Sequence, residues 1–259
     1  MILVQSLSMN YGNAGYYLLP LYVRNTQHYA CANALKQNYL TALMYFSCNV
    51  SFSSLPVFLP TILSEMNFTN IQAQGLSAPP YFLAFLLTIG TTYIADRTQQ
   101  RGLTIIVLSL IGAIGYILLA TTSATGPRYT GVFFAAAGIF PCIGNILPWV
   151  LNNQGSDTKR GTGIAILNLV GQCGPLLGTR IYPGQDSPYY REGMWVCAAF
   201  MLFNGLLAFA LRTLLAWENK VLDEKYGHVA RPDGSGRAEG KDEPGVGDEN
   251  DGPRFRYVL

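Results

Sequence analysis

The spacing of ionised side chains constrains this chain more than any other feature of it. Between Lys36 and Glu65 lie 28 residues without a charge; between Glu65 and Asp96, 30; between Arg101 and Arg128, 26; between Arg128 and Asp157, 28. Two further gaps, Arg160 to Arg180 and Glu192 to Arg212, hold 19 each. A helix crosses the hydrocarbon core of a bilayer with about 20 apolar residues, so each gap fits one crossing, and none fits two with a turn between them. The gaps predict an all-α membrane protein with a six-helix transmembrane bundle. Its spans fall near residues 39–63, 78–95, 103–121, 129–151, 162–182 and 194–216.

Composition closes the soluble alternative. Only 32 of 259 residues are charged, and 18 of them lie from Arg212 onward, leaving 14 for the first 211. A water-soluble domain of that size could not cover its surface with so few, whereas a chain solvated by lipid needs no such cover. A net charge of +2 offers no basic stripe for nucleic acid. The five cysteines, Cys31, Cys48, Cys142, Cys173 and Cys197, show neither CxxC nor metal-ligand spacing, and the last four fall in apolar stretches, where a thiol behaves as a small hydrophobe. No basic region precedes an apolar core at Met1, so no cleavable signal peptide is expected.

The connections carry turn chemistry: Asp96–Gly102 is short and charged, residues 123–127 are small and broken by Gly-Pro, and residues 152–161 and 183–188 are polar. Six spans place both chain ends on one side. That side collects Arg24, Lys36, Arg97, Arg101, Lys159, Arg160, Arg212, Lys220 and Lys225, against Arg128, Arg180 and Arg191 on the other. The positive-inside rule makes the first side, and both termini, cytoplasmic. Residues 218–259 form a cytoplasmic tail, with a solvated helical extension of the last span over Val221–Gly227. From about residue 231 the tail is charged, Gly-rich and expected to be disordered. Residues 1–37 are atypical: Met1–Val23 lacks charge but is diluted by Asn, Gln, Ser and Gly, and is not counted as a span.

An enzyme would gather polar groups at one point, and the spans do not. Both histidines, His28 and His228, lie outside them, no pair of carboxylates lies within one, and HExxH, GxSxG and P-loop patterns are absent. The sequence calls for no catalytic residue, cofactor or metal. A transporter instead wants Gly- and Pro-broken spans with uncharged polar groups near the midplane. Three spans offer this, around Asn49-Val-Ser51 and Pro56, around Pro141-Cys-Ile-Gly144-Asn145, and around Asn168-Leu-Val-Gly171-Gln172-Cys-Gly174-Pro175. Asn49, Asn145, Asn168 and Gln172 are therefore the candidate substrate-pathway residues, since an amide in hydrocarbon must meet a partner or water; taken singly, each also fits a helix-to-helix packing role. Asn67-Phe-Thr69 is a glycosylation sequon in the first outer loop.

Several stretches resemble the second half of a fungal major facilitator transporter, of the allantoate permease branch of anion:cation symporters that includes nicotinate and vitamin carriers. They are Phe58-Leu-Pro-Thr-Ile62, Gln72-Ala-Gln-Gly-Leu-Ser-Ala-Pro-Pro-Tyr81, Ala95-Asp-Arg-Thr-Gln-Gln-Arg-Gly102, Gly131–Pro141, Trp149-Val-Leu-Asn-Asn153, Lys159-Arg-Gly161 and Arg212–Asn219. The resemblance implies that the six spans are equivalent to helices seven to twelve of that fold. It implies an inner gate at Asp96, Arg97 and Arg101, although Thr92 stands where the family's fuller pattern has Gly. It also implies a hinge at Gly171, Gly174 and Pro175.

The expected partners are the lipid bilayer, a small organic solute moved with protons, and an N-terminal transporter half or full-length homologue. The expected site is the plasma membrane. A complete member has twelve spans in two halves and this chain has one half. Three readings stay open: a truncated gene model or remnant, a genuine half-length product, and a non-transporting half-carrier that pairs with full-length relatives.

Overall fold

The charge-free stretches fold as helices in the computed structural model, which describes residues 36–61, 63–64, 69–154, 157–183, 189–226 and 256–259. Two compact units divide at Tyr39 and Leu40. Of the first, only residues 36–39 are described, as the opening turn of a helix. The helices are α1 (Lys36–Thr61), α2 (Asn70–Thr98), α3 (Arg101–Thr121), α4 (Thr125–Asn152), α5 (Asp157–Gly171), α6 (Gly174–Gly178) and α7 (Arg191–Tyr226). No strand occurs among the described residues. Five of these helices, α1 to α4 and α7, are long and apolar enough to cross a membrane.

The fifth expected span, 162–182, is not continuous. It is delivered as α5 and the five-residue α6, with a turn at Gln172-Cys173 between them. Other boundaries also move. α2 begins eight residues earlier than the span read from charge spacing, because Thr69 and Gln72 form a reciprocal cap in which each side chain accepts the other's backbone N–H. The Gly126-Pro127 pair lies in the first turn of α4 rather than in a loop, where a missing proline N–H costs nothing. α7, by contrast, takes in residues 221–226 of the extension expected there.

Helices that share a lipid solvent gain nothing by burying leucine against leucine, so close backbone approach decides the packing. α3 and α4 meet on a seam of glycines. A Cβ on Gly115 would lie 2.7 Å from Ala135 Cα and 2.8 Å from the Gly131 carbonyl oxygen. One on Gly138 would meet the Gly112 backbone and stand 2.6 Å from the Leu108 carbonyl oxygen. α1 instead binds α7 through hydroxyls: Ser47 Oγ donates to the Phe200 carbonyl (2.6 Å) and Ser51 Oγ to that of Cys197 (3.2 Å). Tyr116 of α3 closes the same layer by donating to the Ser51 carbonyl at 2.9 Å.

α2 is the exception. It buries little besides Ala73, Ala84 and Ala95, and presents Phe82, Phe85, Ile89, Tyr93 and Ile94 outward. Its neighbours are α4 and, to a smaller extent, α3. Between these three helices runs a groove of about 570 Å³ lined by Leu83, Leu87, Val107, Phe133 and Phe134, with Thr91, Thr104 and Thr130 as its polar groups. Such a lining suits acyl chains rather than an anion.

The two ends of the bundle are chemically distinct. At one end lie Arg97, Arg101 and Arg212, together with Trp149 at the close of α4. Arg101 pairs with Asp96, and Arg212 reaches the side chain of Gln100. At the other, Arg128 is buried under the Tyr189 ring, and Arg191 lies over the same ring while donating to Ser123.

Residues 1–35, Asn67 and Phe68 of the sequon and residues 227–255 lie outside the described residues. The four residues that follow, 256–259, are packed on the bundle. Composition puts them in a tail too polar to order itself, but Tyr257, Val258 and Leu259 carry enough apolar surface to join the core around Trp149.

Candidate functional site

Proline creates the chemistry at the broken helix. A helical carbonyl is normally paired with the N–H four residues on, and proline has none. Pro175 therefore leaves the Gly171 carbonyl without its usual donor. Asn49 of α1 supplies a replacement: its Nδ2 donates to the Gly171 carbonyl oxygen at 3.1 Å, in the protein interior. The approach is possible because the facing residues lack side chains. A Cβ on Gly174 would stand 2.7 Å from the Phe46 carbonyl oxygen and 2.9 Å from Asn49 Cβ, and Gly171 lies under the Tyr45 ring. The structure thus brings together Asn49, Gly171, Gly174 and Pro175.

The same device recurs in α2. Pro80 withdraws the donor for the Leu76 carbonyl, and Tyr129 Oη of α4 donates to it at 3.0 Å.

Asn145 sits apart from that cluster. Fully buried on α4, it donates to its own helix at the Pro141 carbonyl (2.8 Å) and reaches Thr91 Oγ1 of α2 at 3.5 Å. Its amide oxygen has no donor among the described residues. Asn168 and Gln172 lie on the exposed flank of the broken helix. Asn168 Nδ2 turns back to the Ile164 carbonyl one turn earlier, at 3.0 Å. The four amides are therefore two buried groups that join helices and two exposed ones on a single flank.

The turn between α2 and α3 holds the charged residues. Gln99 adopts the left-handed conformation (φ 53°) and folds its side chain onto the Asp96 carbonyl. That turn swings Arg101 back to pair with the Asp96 carboxylate. Arg101 is 6% exposed in its side chain and Asp96 53%. The pair therefore spans the boundary between the bundle and its surroundings. Arg97 does not join them; its guanidinium lies over the Tyr93 ring, 5.6 Å from the centroid.

One polar cluster escaped the sequence reading. Asn204 of α7 donates to Ser109 Oγ of α3 at 2.8 Å and to Cys142 Sγ of α4 at 3.2 Å, so one amide ties three helices. Its signal was an Asn inside the charge-free gap from Glu192 to Arg212, a costly place for an amide. It stands beside no proline, so the Gly- and Pro-broken pattern does not single it out. Among the described residues no group of His, Cys, Asp and Glu is placed to hold a metal ion.

Known proteins are similar to this chain in sequence. The chain is 34% identical over 191 residues to the MFS transporter prlL of a fungal species, covering 72% of this chain and 39% of that protein. It is a homologue of MFS transporters. It is also 30% identical over 213 residues to the MFS-type transporter cnsO of Penicillium expansum, covering 80% of this chain and 40% of the relative. To the high-affinity nicotinic acid transporter of Saccharomyces cerevisiae it is 28% identical over 223 residues, 86% of this chain and 41% of the relative. The chain thus spans about two fifths of the length of the curated relatives it matches. No protein-family model and no solved structure matches it. With these relatives and its long apolar helices, this MFS homologue is an integral membrane protein.

Proposed function

We propose that this chain is the C-terminal half of a proton-coupled carrier for a small organic anion, working by alternating access in the plasma membrane with both termini cytoplasmic. The reading assigns it to the allantoate permease branch. The observation that carries it is the likeness to the nicotinic acid transporter across 86% of this chain, joined to a helix broken at Gly171–Pro175 beside an amide-bearing flank. Transporters hold their solutes at discontinuous helices near the midplane. On this reading Asn168 and Gln172 face the solute path. Asn49 and Asn145 border it from within the bundle and hold the broken and proline-bearing helices in place. Asp96, Arg97 and Arg101 form the inner gate, and Gly171, Gly174 and Pro175 the hinge.

No charged group of α1 to α7 stands at the middle of a span, so the charge that meets the anion and the proton comes from an N-terminal transporter half. The test is uptake of labelled nicotinate and related carboxylates into vesicles carrying this chain co-expressed with the N-terminal half of a relative. Uptake should rise at acid outside pH and fall at least about tenfold when Asn168 and Gln172 are both alanine, the loss of about 1.4 kcal/mol or more of transition-state stabilisation. Uptake equal to that of empty vesicles across the panel, with both halves present in the membrane, overturns the proposal.

A further inference from the structure

Residues Arg256-Tyr257-Val258-Leu259 lie extended across the Lys/Arg-rich end of the bundle, and the contacts there are those of a receptor for a peptide. Asn219 of α7 reads the main chain of Tyr257 in both directions: its Oδ1 accepts from the Tyr257 N–H (2.9 Å) and its Nδ2 donates to the Tyr257 carbonyl (3.0 Å). Asn153, the residue after α4, does the same to Val258, at 2.7 Å and 3.1 Å. A side-chain amide that pairs with both backbone groups of one residue imitates the edge of a strand, and main-chain pairing of this kind recognises any extended peptide.

Two further main-chain contacts hold the segment, and one ion pair selects a side chain. Trp149 Nε1 donates to the Val258 carbonyl at 2.8 Å, and the Gly102 N–H, at the first turn of α3, donates to the Leu259 carbonyl oxygen at 3.2 Å. Arg256 Nε meets Asp223 Oδ1 at 2.7 Å. The three apolar side chains pack on the core that contains Trp149, Ile105, Val150, Leu211 and Leu215.

The receptor side is built rather than incidental. Trp149 is fully buried, and Asn153 and Asn219 are 3% and 8% exposed. Gly102 is what lets the indole sit there, because a Cβ on it would lie 2.9 Å from the Trp149 ring. With the segment seated, both asparagines spend their amide oxygen and nitrogen on it.

The geometry points to a peptide-binding groove formed by the start of α3 and the ends of α4 and α7, whose ligand is this chain's own residues 256–259. The bound segment is a strap: it links the three helix ends beside Arg101, so they cannot separate until it lets go. Its ligand class is an extended peptide with a basic residue followed by one aromatic and two aliphatic side chains. The inference concerns binding alone and stands apart from the transport reading.

Hydrogen–deuterium exchange of the full chain in lipid nanodiscs tests it. The Tyr257 and Val258 amides should exchange at least about tenfold more slowly than in the free peptide Arg-Tyr-Val-Leu, as amides held by buried partners do. The double variant N153A/N219A should return them to the free rate while the amides of α3 stay protected. Free-peptide exchange at 257 and 258 in the unaltered chain, with α3 and α4 protected, overturns the inference. That measurement needs no variant to fold.

Discussion

The Asn49–Gly171–Pro175 arrangement makes a prediction that two substitutions can decide. If Pro175 creates the unpaired Gly171 carbonyl and Asn49 answers it, the two residues are energetically coupled. Asn49→Ala in the natural background leaves a buried carbonyl without a donor, which costs about 1–3 kcal/mol. Interhelical hydrogen bonds in membranes run weaker, averaging about 0.6 and reaching about 1.7 kcal/mol, because the inserted but unpacked chain finds other partners. A 3.1 Å bond made by a side chain only 4% exposed belongs toward the upper part of that range, so the expected cost is about 1–1.5 kcal/mol. In a Pro175→Ala background residue 175 carries an N–H four residues beyond Gly171, the helix can close on itself, and Asn49→Ala should then cost under about 0.5 kcal/mol.

The assay is thermal unfolding in detergent micelles, followed by fluorescence of Trp149, Trp195 and Trp217. About 1 kcal/mol corresponds to about 2–4 °C for a chain of this size. Asn49→Ala should lower Tm by about 3–5 °C alone and by less than about 2 °C beside Pro175→Ala. Equal losses in both backgrounds would refute the reasoning, since Asn49 would then be acting through packing and not through the carbonyl that proline exposes.

Two other substitutions probe the packing and the charged turn. Gly138→Ala forces a methyl into the Gly112 backbone and the Leu108 carbonyl and should cost about 1–3 kcal/mol, whereas Gly126→Ala, with nothing within 4 Å of its Cβ, should be neutral or mildly stabilising; the two melting temperatures, measured side by side, check this. Asp96→Asn leaves the buried Arg101 guanidinium without its counter-charge, and should cost about 1 kcal/mol, the upper end for a pair whose carboxylate is half exposed. Adding Arg101→Met to Asp96→Asn should recover part of that loss, and a further drop in Tm would count against the pairing.

Much of the architecture was legible because charge is excluded from hydrocarbon, and that rule acts on sequence directly. α3 begins two residues before the stretch read from the gaps, and of the three spans that carry Gly or Pro beside an amide only the one holding Gly171–Pro175 is broken in two. The direction in which each amide faces was not legible. Hydropathy cannot separate a lipid-facing leucine from a packed one, and α2 is apolar almost all round, so no stripe pointed inward. Asn49 and Asn168 looked alike in sequence, yet one is buried against a facing helix and the other lies on an outer flank. Proline at 175 and at 80 announces which carbonyl is set free, four residues back, but the donor comes from over forty residues away in both cases, from Asn49 and from Tyr129. The strap had a local trace, three large side chains after a polar stretch. Its partners Asn153 and Asn219 lay in segments that read as ordinary turn and helix.

The glycine seam between α3 and α4 has a mechanical consequence. Side chains accommodate motion by changing rotamer, and a contact made of backbone on backbone offers no rotamers to change. Where Gly112, Gly115, Gly131 and Gly138 touch, the two helices behave as one stiff beam. Any rocking of this bundle must be taken up at its softer joints, above all the interrupted rod that leans on α1.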